Sequence, residues 1–173
     1  MSSLVWHGHS WELAVPGPTA ARHAAAMGRA SRQDAAAPMV ALLEVILGPD
    51  QLADLEDGVN DGRFPPTAFP DLLTDAVKHL SGRPLRAVVA LSRAAVSQWS
   101  IIRGRLVRDG VTNPLRDLPT LWALLDAVEG MILESKSDEK DTAEYWRSVY
   151  GADTQWDDDE EAAAADAFFG AFG

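Results

Sequence analysis

Apolar positions along this chain recur mostly at intervals of three and four, the spacing that lines side chains along one face of an α-helix. One exception stands near the start. In LVWHGHSWELAV, Leu4 and Trp6 stand two apart and would share one strand face, and Trp11, Leu13 and Val15 would share one face of the next. This alternation predicts two short strands with one buried face. Gly8 with His9 or Ser10 supplies the turn between them. The remainder reads as helices separated by Gly and Pro. A first helix starts at Thr19, a capping residue after Pro16, Gly17 and Pro18, and runs through ARHAAAMGRA. A second starts at Ser31 or Asp34, buries Met39, Leu42, Leu43, Ile46 and Leu47, and stops at Gly48; Pro38 lies in or just past its first turn, where a missing N–H costs little. Pro49 opens a third helix, PDQLADLED, before the turn-rich loop GVNDGRFPPT.

A fourth helix over Pro70–Ser81 places Leu72, Leu73, Val77 and Leu80 at helical spacing. The strongest periodicity follows. From Pro84 to Gly110, the positions Leu85, Val88, Val89, Val96, Trp99, Ile102 and Leu106 predict one long helix, with Gly104 marking a bend or a close approach. The loop VTNPLRDLP leads to a sixth helix started by Asp117 and Pro119 and carrying Leu121, Leu124, Leu125, Val128, Ile132 and Leu133. A seventh carries Tyr145, Trp146, Val149 and Tyr150, with Asp138 and Glu139 in its first turn and Gly151 as its stop. The fold class is therefore mainly α, a multi-helix single domain with a short N-terminal β-hairpin. It occupies residues 1–151, with an internal seam at 58–68, and residues 152–173 form an acidic tail with an aromatic end.

Composition narrows the chemistry. At 173 residues and 47% hydrophobic the chain can bury one core. Cys is absent, which excludes disulfides and thiolate metal sites and fits a reducing compartment. No apolar run reaches the roughly 18 residues of a membrane span, and no signal-peptide pattern opens the sequence. The net charge of -11 argues against nucleic acid as a partner, because phosphate affinity rests on concentrated Lys and Arg. The charge is unevenly placed. Arg83, Arg86, Arg93, Arg103, Arg105 and Arg108 precede the first acid of their stretch, Asp109, while Asp157, Asp158, Asp159, Glu160 and Glu161 crowd together near the end.

Two places could carry chemistry. His7 and His9 are a candidate metal pair, but zinc needs a third protein ligand, to be found among His23, His79 or a carboxylate. Tryptophans burying a hairpin explain the same residues with less machinery. Asp126 and Glu129, three apart on one helix, could form an acid–base or metal pair, although a solvated helix face is the commoner meaning of such a pair. Nucleophile elbows, Walker loops and dinucleotide fingerprints are absent from the sequence. No cofactor is expected. The candidate partner-binding residues are Arg86 and Arg93 of the long helix, with Trp156, Phe168, Phe169 and Phe172 of the tail. These aromatics read either as a docking peptide after an acidic linker or as a final helix packed on the core.

Taken in order, WHGHSWEL, ARHAAAMGRA and VALLEVILGPDQLADLED resemble the tail assembly chaperones of siphophages that infect actinobacteria, with Leu47, Gly48 and Gln51 matching the family's LLG-x-x-Q segment. The run WSIIRGRLVRDGVTNPLRDLPTLWALLDAVEGMILES resembles a segment of actinobacteriophage proteins of this kind. The resemblance implies a non-enzymatic chaperone in the host cytoplasm that binds the tape measure protein and helps recruit tail tube subunits. It is compatible with a homo-oligomer. The alternatives are a structural subunit of the phage particle, such as a connector or tail-associated protein, and a metal-dependent enzyme using the N-terminal histidines.

Overall fold

The computed structural model describes residues 2–30 and 34–151. Strands β1 (Ser2–Trp6) and β2 (His9–Leu13) pair antiparallel, with Leu4 opposite Trp11 and Trp6 opposite His9. The turn is therefore His7–Gly8, one residue earlier than the sequence suggests. Both residues have positive φ, at 48° and 76°, as the tight turns that match strand twist require. Alternation holds through Leu13, with Trp6, Trp11 and Leu13 buried. Val15 lies beyond the strand and is exposed, so the pattern ran one position too far.

A 3₁₀ turn at Pro18–Ala20 leads into α1 (Ala21–Met27). Thr19 lies within that turn and caps nothing; Gly17 occupies the cap position. Helices α2 (Ala36–Leu47) and α3 (Pro49–Asn60) meet at Gly48, whose φ of 80° and ψ of 163° suit a residue without a Cβ. Helix α3 runs three residues past the predicted stop. Gly58 is buried inside it because the Phe64 ring lies over that position: a Cβ there would fall 2.3 Å from the ring. Phe64 itself sits 5.7 Å from the Trp6 ring and 5.8 Å from the Trp11 ring, centroid to centroid. The stretch 58–68, read as a seam, thus adds an aromatic plug to the core beneath the hairpin.

Helix α4 (Ala68–Ser81) holds Pro70 in its first turn, and the predicted long helix divides into α5 (Leu85–Ser97) and α6 (Trp99–Arg108). The break falls at Gln98, not Gly104. Ser97 Oγ donates to the Ala94 carbonyl, which already accepts the Gln98 N–H. Such backward bonding by a hydroxyl weakens a helix and often accompanies a bend. A short α7 (Pro114–Asp117) follows, then α8 (Leu121–Glu134) and α9 (Glu139–Tyr150). Thr120, not Asp117, caps α8 by accepting the Ala123 N–H; Asp117 instead accepts from Asn113 N and Thr112 Oγ1 and closes the preceding loop. Asp138 is the N-cap of α9, accepting the Asp141 N–H.

Helix α5 is the spine, packed against α1, α4, α8 and α9, while the hairpin rests on α2 and α4. Its most buried positions are Ala87, Val88, Leu91, Ser92 and Ala95, a narrower stripe than the periodicity implied, with Leu85, Val89 and Val96 half-buried. The small residues let α1 come close. Gly28, just past the end of α1, leaves room for Val89 and for the Arg93 stem, and Arg93 Nη1 donates to the Gly28 carbonyl at 2.8 Å. Gln51 secures the hairpin edge. Its amide accepts the Glu12 N–H and donates to the Glu12 carbonyl, both at 2.8 Å, so one side chain completes main-chain pairing that a third strand would otherwise supply. The chain is a mainly α single domain. No described helix is long and apolar enough to cross a membrane.

Candidate functional site

The densest polar cluster among the described residues lies where α8, α9 and the α4–α5 junction meet. Glu129 is on the inner side of α8, and its side chain is 10% exposed. Its Oε1 accepts from the Tyr145 hydroxyl at 2.8 Å and the Tyr150 hydroxyl at 2.6 Å, while Oε2 accepts from Arg83 Nη2 at 2.7 Å. The same Arg83 nitrogen reaches Asp126 Oδ1 at 2.6 Å, and Arg83 Nε donates to the Tyr150 oxygen at 3.0 Å. Gly82, in the left-handed conformation, ends α4 and Pro84 opens α5, so Arg83 is presented from a short connector toward α8.

Electrostatics favour one protonation state throughout. Burial raises the Glu129 pKa, but the Tyr150, Arg83 and Tyr145 donors outweigh it and hold the carboxyl below its ordinary value. Burial, then the bond to Glu129, pushes the Tyr150 hydroxyl up to about 12 and Tyr145 higher still. Burial alone would ease the proton off Arg83, yet its bonds to Glu129, Tyr150 and Asp126 hold it above its usual range. Every Glu129 oxygen is engaged by a donor. The group is thus an ionised carboxylate with no proton to give and little basicity to offer, and it clasps three elements together.

The pair Asp126 and Glu129 does share a face of α8, but the solvated surface that the sequence suggested is a correction to make for one of them. Asp126 is exposed, whereas Glu129 is buried. A signal for this was present: Leu125, Glu129 and Ile132 stand at i, i+4 and i+7, so the carboxylate lies within the apolar stripe itself. Nothing local pointed to Arg83, because its partners are 43 and 46 residues away.

Stability should follow these protonation states. Glu129 has a lowered folded pKa, so its contribution is present above the unfolded value, about 4.3, and is lost as pH falls through the folded one. The tyrosines have raised folded pKa values, so their contribution is present below about 10 and is lost as pH rises toward about 12. We expect a plateau of stability between these limits in denaturant titrations. Tyr145 and Tyr150 are the two tyrosines of the chain. Phenolate absorbance therefore reports this cluster alone, and its appearance near pH 10 in the folded protein would refute the arrangement.

The histidines sit elsewhere. His7 and His9 lie against Trp6 and Trp11, with ring centroids 4.2 and 4.5 Å apart. Ser2 Oγ and His79 Nε2 are 2.8 Å apart on the α4 side, and His23 is on α1, its pKa lowered by burial and by Arg22. Among the described residues no group of three or more His, Cys, Asp or Glu could hold a metal ion. Of the partner-binding candidates, Arg93 is tied to Gly28 and Arg86 is half-buried on α5. Trp156, Phe168, Phe169 and Phe172 lie outside the described residues.

The basic stretch separates into inner and outer arginines. Arg105 pairs with Glu134 of α8 and lies near Asp109. On the solvent side of α6 stand Ile101, 69% exposed, and Val107, 42% exposed, with Arg103, Gly104 and Arg108 beside them. Comparison with known proteins finds a match over residues 94–154 to a family of unknown function, DUF7240. The matched segment runs from the last turn of α5 through α9. No curated protein and no solved structure matches the chain.

Proposed function

We propose that this protein is a non-enzymatic phage tail assembly chaperone that binds the tape measure protein in the host cytoplasm and assists tail tube assembly. The observation that carries a binding role is the solvent face of α6, where Ile101 and Val107 stand exposed beside Arg103 and Arg108. Large apolar side chains held in water next to cations suit an amphipathic partner helix with acidic flanks. The buried carboxylate, by contrast, is engaged inside the fold. The specific client comes from the resemblance of the N-terminal third to tail assembly chaperones. One residue of that resemblance, Gln51, is also the residue whose amide closes the hairpin edge.

Co-expression with the tape measure protein and affinity capture test the reading, paired with mass spectrometry of purified virions. The expected result is a soluble complex with the tape measure protein and no copies in the virion. Abundant copies in the virion without tape measure binding would instead identify a structural subunit of the particle. Stoichiometric metal in the purified protein, lost on replacing His7 and His9 by alanine, would favour the enzymatic alternative.

A further inference from the structure

The outer face of α6 has the properties of a surface shaped for an occupant. Gly104 is at its centre, and a Cβ built there meets no atom within 4 Å. A glycine inside an exposed helix weakens it relative to alanine, and the fold offers no contact that requires one here. Close approach of another segment is what a bare backbone at that position permits. Ile101, Val107 and Arg108 surround it on the same side, and Arg103 flanks them. Among the described residues, Arg103 and Arg108 have no ion-pair partner, whereas Arg63, Arg83, Arg105 and Arg116 each do.

The same chain carries the complementary chemistry. Asp157, Asp158, Asp159, Glu160 and Glu161 supply five consecutive carboxylates, and Phe168, Phe169 and Phe172 follow them. No other stretch of the sequence has five acids in succession. Reach is sufficient. Sixteen residues lie between Gly151 and Phe168 and nine between Gly151 and Glu161, extended spans of about 55 and 33 Å, against a radius of gyration of about 15 Å for a domain of roughly 150 residues. We propose that the segment from Asp157 to Phe172 docks on the outer face of α6 of its own molecule, its carboxylates meeting Arg103 and Arg108 and its phenylalanines covering Ile101, Gly104 and Val107. A client on this face then has to displace the segment, so binding is self-limited. The docking involves no client and stands or fails independently of the tape measure reading.

The absence of cysteine makes the test direct. Full-length protein carrying Ala165→Cys accepts a single nitroxide label between the acid block and the aromatics. In isotope-labelled protein, the amide signals of Ile101, Gly104 and Arg108 should lose intensity several-fold, and the loss should persist on dilution. It should vanish in Arg103→Glu/Arg108→Glu, whose tryptophan indole signals report an intact core, and return when Asp157 and Asp158 are also changed to Lys. High salt should weaken it by screening. No loss at α6, or loss centred on another face, would overturn the proposal. So would broadening confined to mixtures of nitroxide-labelled and isotope-labelled molecules, which would place the contact between two copies.

Discussion

Replacing Glu129 by alanine is expected to destabilise the protein by about 3–5 kcal/mol, a fall in Tm on the order of 10 °C for a domain of this size. The cause is less the loss of attraction than what remains. Arg83, with 15% of its side chain exposed, would keep its charge without its buried partner, and the Tyr145 and Tyr150 hydroxyls would lose their acceptor. Asp126 cannot substitute, since it is largely exposed and its bond to Arg83 is a surface ion pair of small effect. Combining Arg83→Met with Glu129→Ala should therefore cost less than the sum of the single changes, because the stranded charge is gone. Thermal or denaturant melts of the two single variants and the double variant measure this coupling. A Glu129→Ala protein melting within about 1 kcal/mol of the parent, by the same conversion, would mean that water already reaches the carboxylate and that the clasp contributes little.

Trp11→Ala should be comparably severe, about 3–5 kcal/mol, through the volume it leaves. Trp11 is fully buried against Phe64 and His9 and is the centre of the aromatic cluster under the hairpin. Its indole N–H has no hydrogen-bond partner among the described residues. Trp11→Phe removes that orphan donor along with part of the ring, so the two effects oppose each other and the loss should be well under half that of alanine. Equal losses for phenylalanine and alanine would show that the N–H is engaged and that a polar contact, not volume, holds the hairpin down. Because Phe64 bridges Trp6 and Trp11, the signature of Trp11→Ala should extend to faster amide exchange in both strands.

Local rules that need only neighbouring residues were legible in the sequence. The strand pair was readable from alternation at Leu4, Trp6, Trp11 and Leu13, and the longer helices from stripes such as Leu42, Leu43, Ile46 and Leu47, whereas α5 and α6 read as one helix and the four-residue α7 as loop. Stops at Gly48, Gly82 and Gly151 followed from positive φ, which glycine adopts at least cost. Helix boundaries were less legible where capping groups compete. Asp117 and Thr120 are both good caps by residue type, and only the surrounding loop assigns one to α8 and the other to Asn113. The same holds at Ser97, where a hydroxyl bonds backward beside the break in a stripe that looks continuous.

The candidate sites divide along the same line. That Asp126 and Glu129 share a helix face was fixed by a spacing of three, and that Glu129 falls on an apolar stripe could be read from Leu125 and Ile132. Which groups meet it could not. Arg83, Tyr145 and Tyr150 come from a connector and a helix brought to α8 by packing of the core, and a buried carboxylate is ionised or neutral according to those partners. Likewise, periodicity placed Ile102 and Leu106 inside, but only the neighbours of α5 and α6 decide that Arg93 turns to Gly28, Arg105 to Glu134, and Ile101 to water. Sequence alone determined the longer elements and their apolar faces, because those depend on covalent geometry and the period of each helix or strand. Tertiary structure alone decided which polar groups were neutralised and which faces were left uncovered, because both depend on atoms distant in the chain.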